Sequence, residues 1–218
     1  MISTQFTFDR EQLRRSGFAR AGVLSADWPN QGPEHPVRDV LGSAGWMHDL
    51  ARRQDLRDLA SSALGGDARV VRANLFVKSK VANWFVPWHQ DRVVCVRRRV
   101  DFPGFTSWST KAGLPHANAP FEVLREMIAI RVHLDPSPTE GGALEVLPGT
   151  QESVRDPEGV RDGGRVSECL PATRGELLLM RPLVVHRSSK SRSGLPRRVL
   201  HVEYSPRPLP APLQSHYW

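Results

Sequence analysis

Five short runs rich in valine, isoleucine and leucine punctuate the last two thirds of this chain, at residues 68–77, 127–134, 142–147, 175–180 and 199–204. Turn residues divide them: a Pro- and Gly-bearing stretch at 136–142, Pro148-Gly149, and a second such stretch at 194–196. Apolar runs of this length suit buried strands, and little helical periodicity lies between them. The pattern argues against alternating strand–helix units around a parallel sheet and predicts a sandwich or barrel of strands. The first third reads differently. Residues 8–24 carry Leu13, Phe18 and Val23 among charges, with Gly17 and Gly22 restricting any helix to the earlier half. Residues 36–64 space Val40, Leu41, Trp46, Leu50, Leu56, Leu59 and Leu64 as two short amphipathic helices, ended by Gly65-Gly66. The expectation is a mainly β protein with flanking helices, one domain over 1–218. In it, 1–66 are mostly helical support, 67–206 form the β core, and 97–120 make a long loop.

The chain's 218 residues are enough for a sizeable core without disulfide or metal props. No apolar run approaches the ~18–20 residues of a membrane span, and the polar start MISTQFTFDR lacks a secretory signal's apolar stretch. Two cysteines, Cys95 and Cys169, make no disulfide framework, so a reducing cytoplasm is the expected setting. The net charge of +7 raises the question of an anionic partner. Arginine is simply the favoured cation here, however, and the one basic run, Arg97-Arg98-Arg99, has no interleaved aromatics. Neither nucleic acid nor membrane is the expected partner; a small molecule is.

His89 and Asp91 stand two apart in an extended segment, a spacing that presents both side chains to one point. His186, at the end of the apolar run 177–185, is a natural third member. Two histidines and one carboxylate on one face of a metal, with other positions open, is the arrangement of non-haem Fe(II) oxygenases. The pattern alone leaves alternatives: His133-Leu134-Asp135 and His201-Val202-Glu203 have the same spacing. His35, His48 and His216 read as structural. Arg197 follows His186 by 11 residues (197 − 186) across a polar turn, a distance at which a hairpin returns it near the same point. Its fork suits an oxoacid with a distal carboxylate. Arg197 and Arg198 face opposite ways on a strand, Arg198 with Leu200, Val202 and Tyr204, and Arg197 with Val199, His201 and Glu203.

In order and spacing, LRRSGF, ANLFVKS, NWFVPWHQD, GGALEVLPGT, GELLLMRPLVVHRSS and PRRVLHVEYS resemble the phytanoyl-CoA dioxygenase (PhyH) family of Fe(II)/2-oxoglutarate-dependent oxygenases. The resemblance implies a double-stranded β-helix, a cupin-like jelly roll, with His89, Asp91 and His186 as iron ligands. It implies Arg197 as the clamp on the far carboxylate of 2-oxoglutarate, with Asn74, Arg131 and Ser188 as further cosubstrate contacts. It departs from the family at Gln151, where histidine is usual, and in its short length. The 97–120 loop is then the expected substrate lid, with Trp108, Lys111 and His116 as contacts, and Lys78, Trp84 and Trp88 as further pocket candidates. The implied reaction consumes O2 and 2-oxoglutarate, releases succinate and CO2, and hydroxylates or otherwise oxidises a C–H bond of a small molecule. A carboxylate at Asp91 favours this over halogenation. The competing readings are a catalytically silent ligand-binding barrel and a non-oxidative metalloenzyme, which leaves Arg197 without a role.

Overall fold

The computed structural model of the protein describes residues 5–156, 159 and 163–218. Asp9 accepts a hydrogen bond from the Gln12 backbone N–H at 2.9 Å and starts α1 (Arg10–Ser16). Gly17, at φ 84°, takes the left-handed conformation that ends it. The later half of residues 8–24 is then a strand, β1 (Phe18–Val23). Next come the two short helices expected from the apolar spacing, α2 (Trp46–Ala51) and α3 (Gln54–Leu64). They are followed by β2 (Arg69–Lys78), β3 (Val86–His89), β4 (Val93–Cys95), β5 (Thr106–Lys111), β6 (Leu114–Asn118), α4 (Phe121–Leu124) and β7 (Ile128–His133). The remainder is β8 (Leu144–Leu147), β9 (Glu168–Leu170), β10 (Glu176–Met180), β11 (Val185–Ser188) and β12 (Arg197–Ser205). No helix among the described residues is long and apolar enough to cross a membrane.

All pairings are antiparallel, in a five-stranded sheet β1-β10-β7-β12-β2, a four-stranded sheet β3-β11-β8-β9 and a small sheet β4-β6-β5. Strand alternation gives the large sheet two faces. Ala73, Leu75, Ile130, Val132, Leu200 and Val202 face one way, into a core shared with Leu50 of α2 and Leu56 and Leu59 of α3. Each leucine buried there contributes about 1.5–3 kcal/mol. On the other face Phe18, Leu178 and Met180 meet Leu144, Val146 and Leu170 of the four-stranded sheet. The result is a two-sheet jelly roll with helices over one face, and the sheets do not close into a barrel.

Three expectations need correction. The first 66 residues are less purely helical than expected, because β1 is the edge of the main sheet. Residues 97–120 are a loop only as far as 105; β5 and β6 form a hairpin, joined by Ala112 and Gly113 at φ 50° and 78°. Both turn residues have positive φ, the geometry of a tight two-residue hairpin, but alanine is an uncommon residue there and β5, TSWSTK, is polar. Finally, β11 and β12 do not make a hairpin with each other; they lie in opposite sheets.

Arg198 faces the helix layer and is neutralised there. Its Nε and Nη2 each donate to an Asp135 oxygen at 2.8 Å, and Nη2 also donates to the carbonyls of Pro29 and Asn30. Removing one partner of such a buried pair costs about 3–5 kcal/mol. Arg198→Ala is therefore expected to lower Tm by roughly 10 °C in a chain this size. Thermal unfolding followed by circular dichroism checks this, and an unchanged Tm contradicts it.

Candidate functional site

β3 pairs with β11 so that His89 lies opposite His186, with ring centroids 4.1 Å apart. Asp91 follows β3, its backbone N–H donating to the Pro182 carbonyl at 2.8 Å. Gln90, between them, is the anchor. Its Nε2 donates to the carbonyls of Ser153 (2.9 Å) and Leu183 (2.6 Å), and its Oε1 accepts from the Arg155 N–H at 2.9 Å. One buried amide thus fastens the segment whose flanking residues converge. His89 Nε2 lies 3.7 Å from Asp91 Oδ1, and His186 Nε2 lies 3.6 Å from Oδ2. One ligand atom from each of the three lies within 4.8 Å of the others, a spacing at which a single metal ion fits.

The tautomers follow from the second nitrogens. His89 Nδ1 is 2.9 Å from the Pro87 carbonyl and His186 Nδ1 is 2.8 Å from the Val184 carbonyl. A carbonyl only accepts, so each Nδ1 carries the proton and each Nε2 turns a lone pair toward Asp91. Burial, with His89 alongside, lowers the His186 pKa to about 3, so its ring is neutral across the physiological range. Burial opposes ionisation of Asp91, but positive charge on the neighbouring histidines when they are protonated, and on Arg72, outweighs it and holds the carboxyl well below its usual range.

His201 and Glu203 form a second set beside the same carboxylate: His201 Nε2 is 3.2 Å from Glu203 Oε1 and 3.7 Å from Asp91 Oδ2. Here the tautomer is reversed. Arg131 Nη1 donates to His201 Nδ1 at 3.4 Å, so the proton sits on Nε2 and is donated to Glu203. Arg72, opposite Glu203 in the sheet, donates to the Glu203 carboxylate through both Nε and Nη2. That leaves this set without a free imidazole lone pair for a metal. The remaining pair, His133 and Asp135, is split: His133 Nδ1 donates to the Glu176 carbonyl at 2.9 Å, and Asp135 belongs to Arg198.

The His89–Asp91–His186 cluster opens into a cleft of about 570 Å³ that Asn74, Lys78, Lys111, Arg131, Ser188 and Arg197 help to line. Arg131 and Arg197 are buried, and the Nε of each has no hydrogen-bond partner. Arg197 reaches only the hydroxyls of Ser137 and Ser188, at 3.4 Å each. Neither arginine has a carboxylate at ion-pair distance among the described residues. Burial pulls Arg131 down to about 10, and burial together with Arg131 pulls Arg197 down to about 9. Lys78 is lowered to about 7 by burial and then Arg197, and its Nζ donates to the carbonyls of Trp84, Ser188 and Ser189. Asn74 Oδ1 accepts from the Asp39 N–H at 3.3 Å.

Several expected contacts lie elsewhere. Trp88 is buried with Leu147 and Val185 beneath the Arg187 guanidinium, and Trp108 packs on the small sheet's core beside Arg99. His116 lines an adjoining recess with Lys111, and Gln151 is fixed to the Arg14 carbonyl behind α1. Trp84 does line the cleft. Arg38, Arg72 and Arg92 line it too, without having stood out in the sequence. Arg72 was within reach, since stepping back two residues from Asn74 along β2 gives the same face.

His133 is buried, and burial, then Arg131 and Arg197, hold its pKa well below 6.5. The folded chain keeps it neutral while the unfolded chain takes up a proton below about pH 6.5, so stability falls as pH falls through that range. Urea midpoints between pH 7 and 5 are expected to fall less steeply in His133→Gln than in the native chain. Equal slopes contradict this.

The model of a family described as phytanoyl-CoA dioxygenase (PhyH) matches residues 10–199. Among solved structures, AviO1 from Streptomyces viridochromogenes Tue57 is 24% identical with a TM-score of 0.64, over 94% of this chain and 98% of that one. The epimerase SnoN, in complex with Fe3+, alpha ketoglutarate and nogalamycin RO, is 17% identical with a TM-score of 0.63, over 90% and 81%. EvdMO1 is 21% identical with a TM-score of 0.67 over 90% of this chain, which spans about half (49%) of EvdMO1. No curated protein matches the sequence. At these identities the structural likenesses establish a shared fold.

Proposed function

The chain belongs to the phytanoyl-CoA dioxygenase family, and from that premise we propose that it is an Fe(II)/2-oxoglutarate-dependent dioxygenase. Its reaction hydroxylates, or otherwise oxidises, an unactivated C–H bond of a small-molecule metabolite, consuming O2 and releasing succinate and CO2. The observation that carries the reading is a juxtaposition. Two imidazoles with free Nε2 lone pairs and an ionised carboxylate converge beside two buried guanidinium groups whose Nε atoms lack partners. The donor set fits Fe(II), and the paired cations fit a dianionic chelator.

In this reading His89, Asp91 and His186 hold the iron. Arg197 receives the distal carboxylate of 2-oxoglutarate, with Ser188 beside it, and Arg131 and Asn74 complete the cosubstrate's surroundings. Bound Fe(II) and 2-oxoglutarate would supply the oxidising chemistry through O2. The protein's own part is to fix two imidazole tautomers through the Pro87 and Val184 carbonyls. It also keeps Asp91 charged and holds the ligand segment still through Gln90. A non-oxidative metalloenzyme built on the same ligands leaves Arg131 and Arg197 as unneutralised buried cations, which costs several kcal/mol with no return. A silent ligand-binding barrel has no need of the fixed tautomers. That SnoN is an epimerase is the reason the outcome at the C–H bond is left broader than hydroxylation. The free cysteines, Cys95 and Cys169, suit a cytoplasmic setting.

Anaerobic titration of the protein with Fe(II) and then 2-oxoglutarate tests this. A weak visible charge-transfer band is expected in the native chain and in His133→Ala, and is absent in His186→Ala. Arg197→Ala is expected to need roughly 10- to 100-fold more 2-oxoglutarate for the same band, the loss of one charged hydrogen-bonding group. A native protein that retains no iron and develops no band overturns the reading.

A further inference from the structure

The cleft carries more positive charge than iron ligation and cosubstrate binding use. Seven cationic side chains line it against one carboxylate, Asp91. Four are committed: Arg72 to Glu203, Lys78 to three backbone carbonyls, and, on the reading above, Arg131 and Arg197 to the cosubstrate's carboxylates. Three remain: Arg38, Arg92 and Lys111. None makes a side-chain hydrogen bond or ion pair among the described residues, and the Nε of Arg92 is buried without a partner. They arrive from separate parts of the chain: the segment before the short helical turn at 40–42, the segment after β3, and the end of β5.

Arg38 and Lys111 also line an adjoining recess with Arg72, Asn74 and Asp39, whose Oδ1 accepts from the Tyr217 hydroxyl; Arg197 and Ser188 do not reach it. Arg38 and Lys111 thus stand at the Arg72–Asn74 end of the cleft, at the opposite end of the β2–β12 pair from Arg197. Burial lowers the Lys111 pKa, and Arg72 and Arg38 lower it further against a smaller opposing pull from Asp91 and Glu203. Pro36, Val37, Trp84 and Val86 supply apolar lining to the same cleft. Cations held this way raise the local concentration of an anion and repay its desolvation.

We propose that the substrate is an organic acid, a carboxylate or a phosphate ester, whose charged group sits between Arg38 and Lys111 while its apolar body lies along Pro36 and Val37. The proposal rests on the dioxygenase reading and deepens it by naming the substrate class.

The test uses protein loaded anaerobically with Fe(II) and saturating 2-oxoglutarate, so that Arg197 is engaged. Phenyl phosphate, benzoate and the neutral benzyl alcohol are titrated in by calorimetry at low and high salt. At least one acid is expected to bind about tenfold or more tighter than benzyl alcohol, with the preference shrinking at high salt. It is also expected to vanish in the Arg38→Gln, Lys111→Gln double variant. Tighter binding of phenyl phosphate assigns a phosphate ester; tighter binding of benzoate assigns a carboxylate. Acids that bind no better than the alcohol, or a preference that survives in the double variant, overturn the proposal. The charge-transfer band of the same samples separates the two failures: a band without acid preference sinks this inference alone, and no band sinks the dioxygenase reading beneath it.

Discussion

Alternation along β12 decides where charge is placed in this protein. Leu200, Val202 and Tyr204 point into the helix-covered core, and Arg198 shares their face but is tied to Asp135. Arg197, His201 and Glu203 point into the space between the sheets, all three buried. The register with β2 sets Lys78 opposite Arg197, Asn74 opposite His201 and Arg72 opposite Glu203, and the register with β7 sets Arg131 opposite His201. A slip of one residue would drive Arg197, His201 and Glu203 under the helices and turn the leucine and valine side chains into the cleft. The apolar face therefore holds the polar site in register.

The interior between the sheets is divided along its length. At the β1–β10 end it is a dry contact of Phe18, Leu178 and Met180 with Leu144 and Val146. At the β12–β2 end it is lined by charge. Burying charge is unfavourable unless it is paired and hydrogen-bonded, and the chain meets this unevenly. Glu203 is closed off by Arg72 and His201, whereas Arg131 and Arg197 are left with open Nε positions. That inequality separates the closed ion pair at Glu203 from two buried guanidinium groups with no carboxylate at ion-pair distance among the described residues. Proteins tolerate such strain at functional sites because the rest of the fold offsets it.

Much of this was legible from short-range pattern. The apolar runs marked β2, β7, β8, β10 and β12, Gly17 and the pair Gly65-Gly66 marked the ends of α1 and α3, and the two-residue period placed Arg197 and Arg198 on opposite faces. Features that depend on tertiary pairing were not legible. The β5–β6 hairpin is polar and turns through Ala112, so neither periodicity nor turn chemistry announces it. Trp88 and Trp108 look like pocket residues by proximity in sequence, yet each belongs to a separate small core. The three histidine–carboxylate pairs were indistinguishable as patterns. They differ in how ring and carboxylate are engaged: Pro87 takes the Nδ1 proton of His89, as Val184 does for His186; His133 has the same tautomer but Asp135 is committed to Arg198; and Arg131 forces the opposite tautomer on His201.

The imidazole pair with free Nε2 atoms, and not the neighbouring Asp91–His201–Glu203 set, is the expected seat of the metal. Crystals grown without oxygen in the presence of Fe(II) and 2-oxoglutarate, with anomalous diffraction collected at the iron edge, test it directly. One iron peak is expected, bound by His89 Nε2, His186 Nε2 and the Asp91 carboxylate, with the cosubstrate's far carboxylate on Arg197. A peak among Asp91, His201 and Glu203, with Arg72 displaced from Glu203, would contradict it, as would well-ordered crystals with no iron in the cleft.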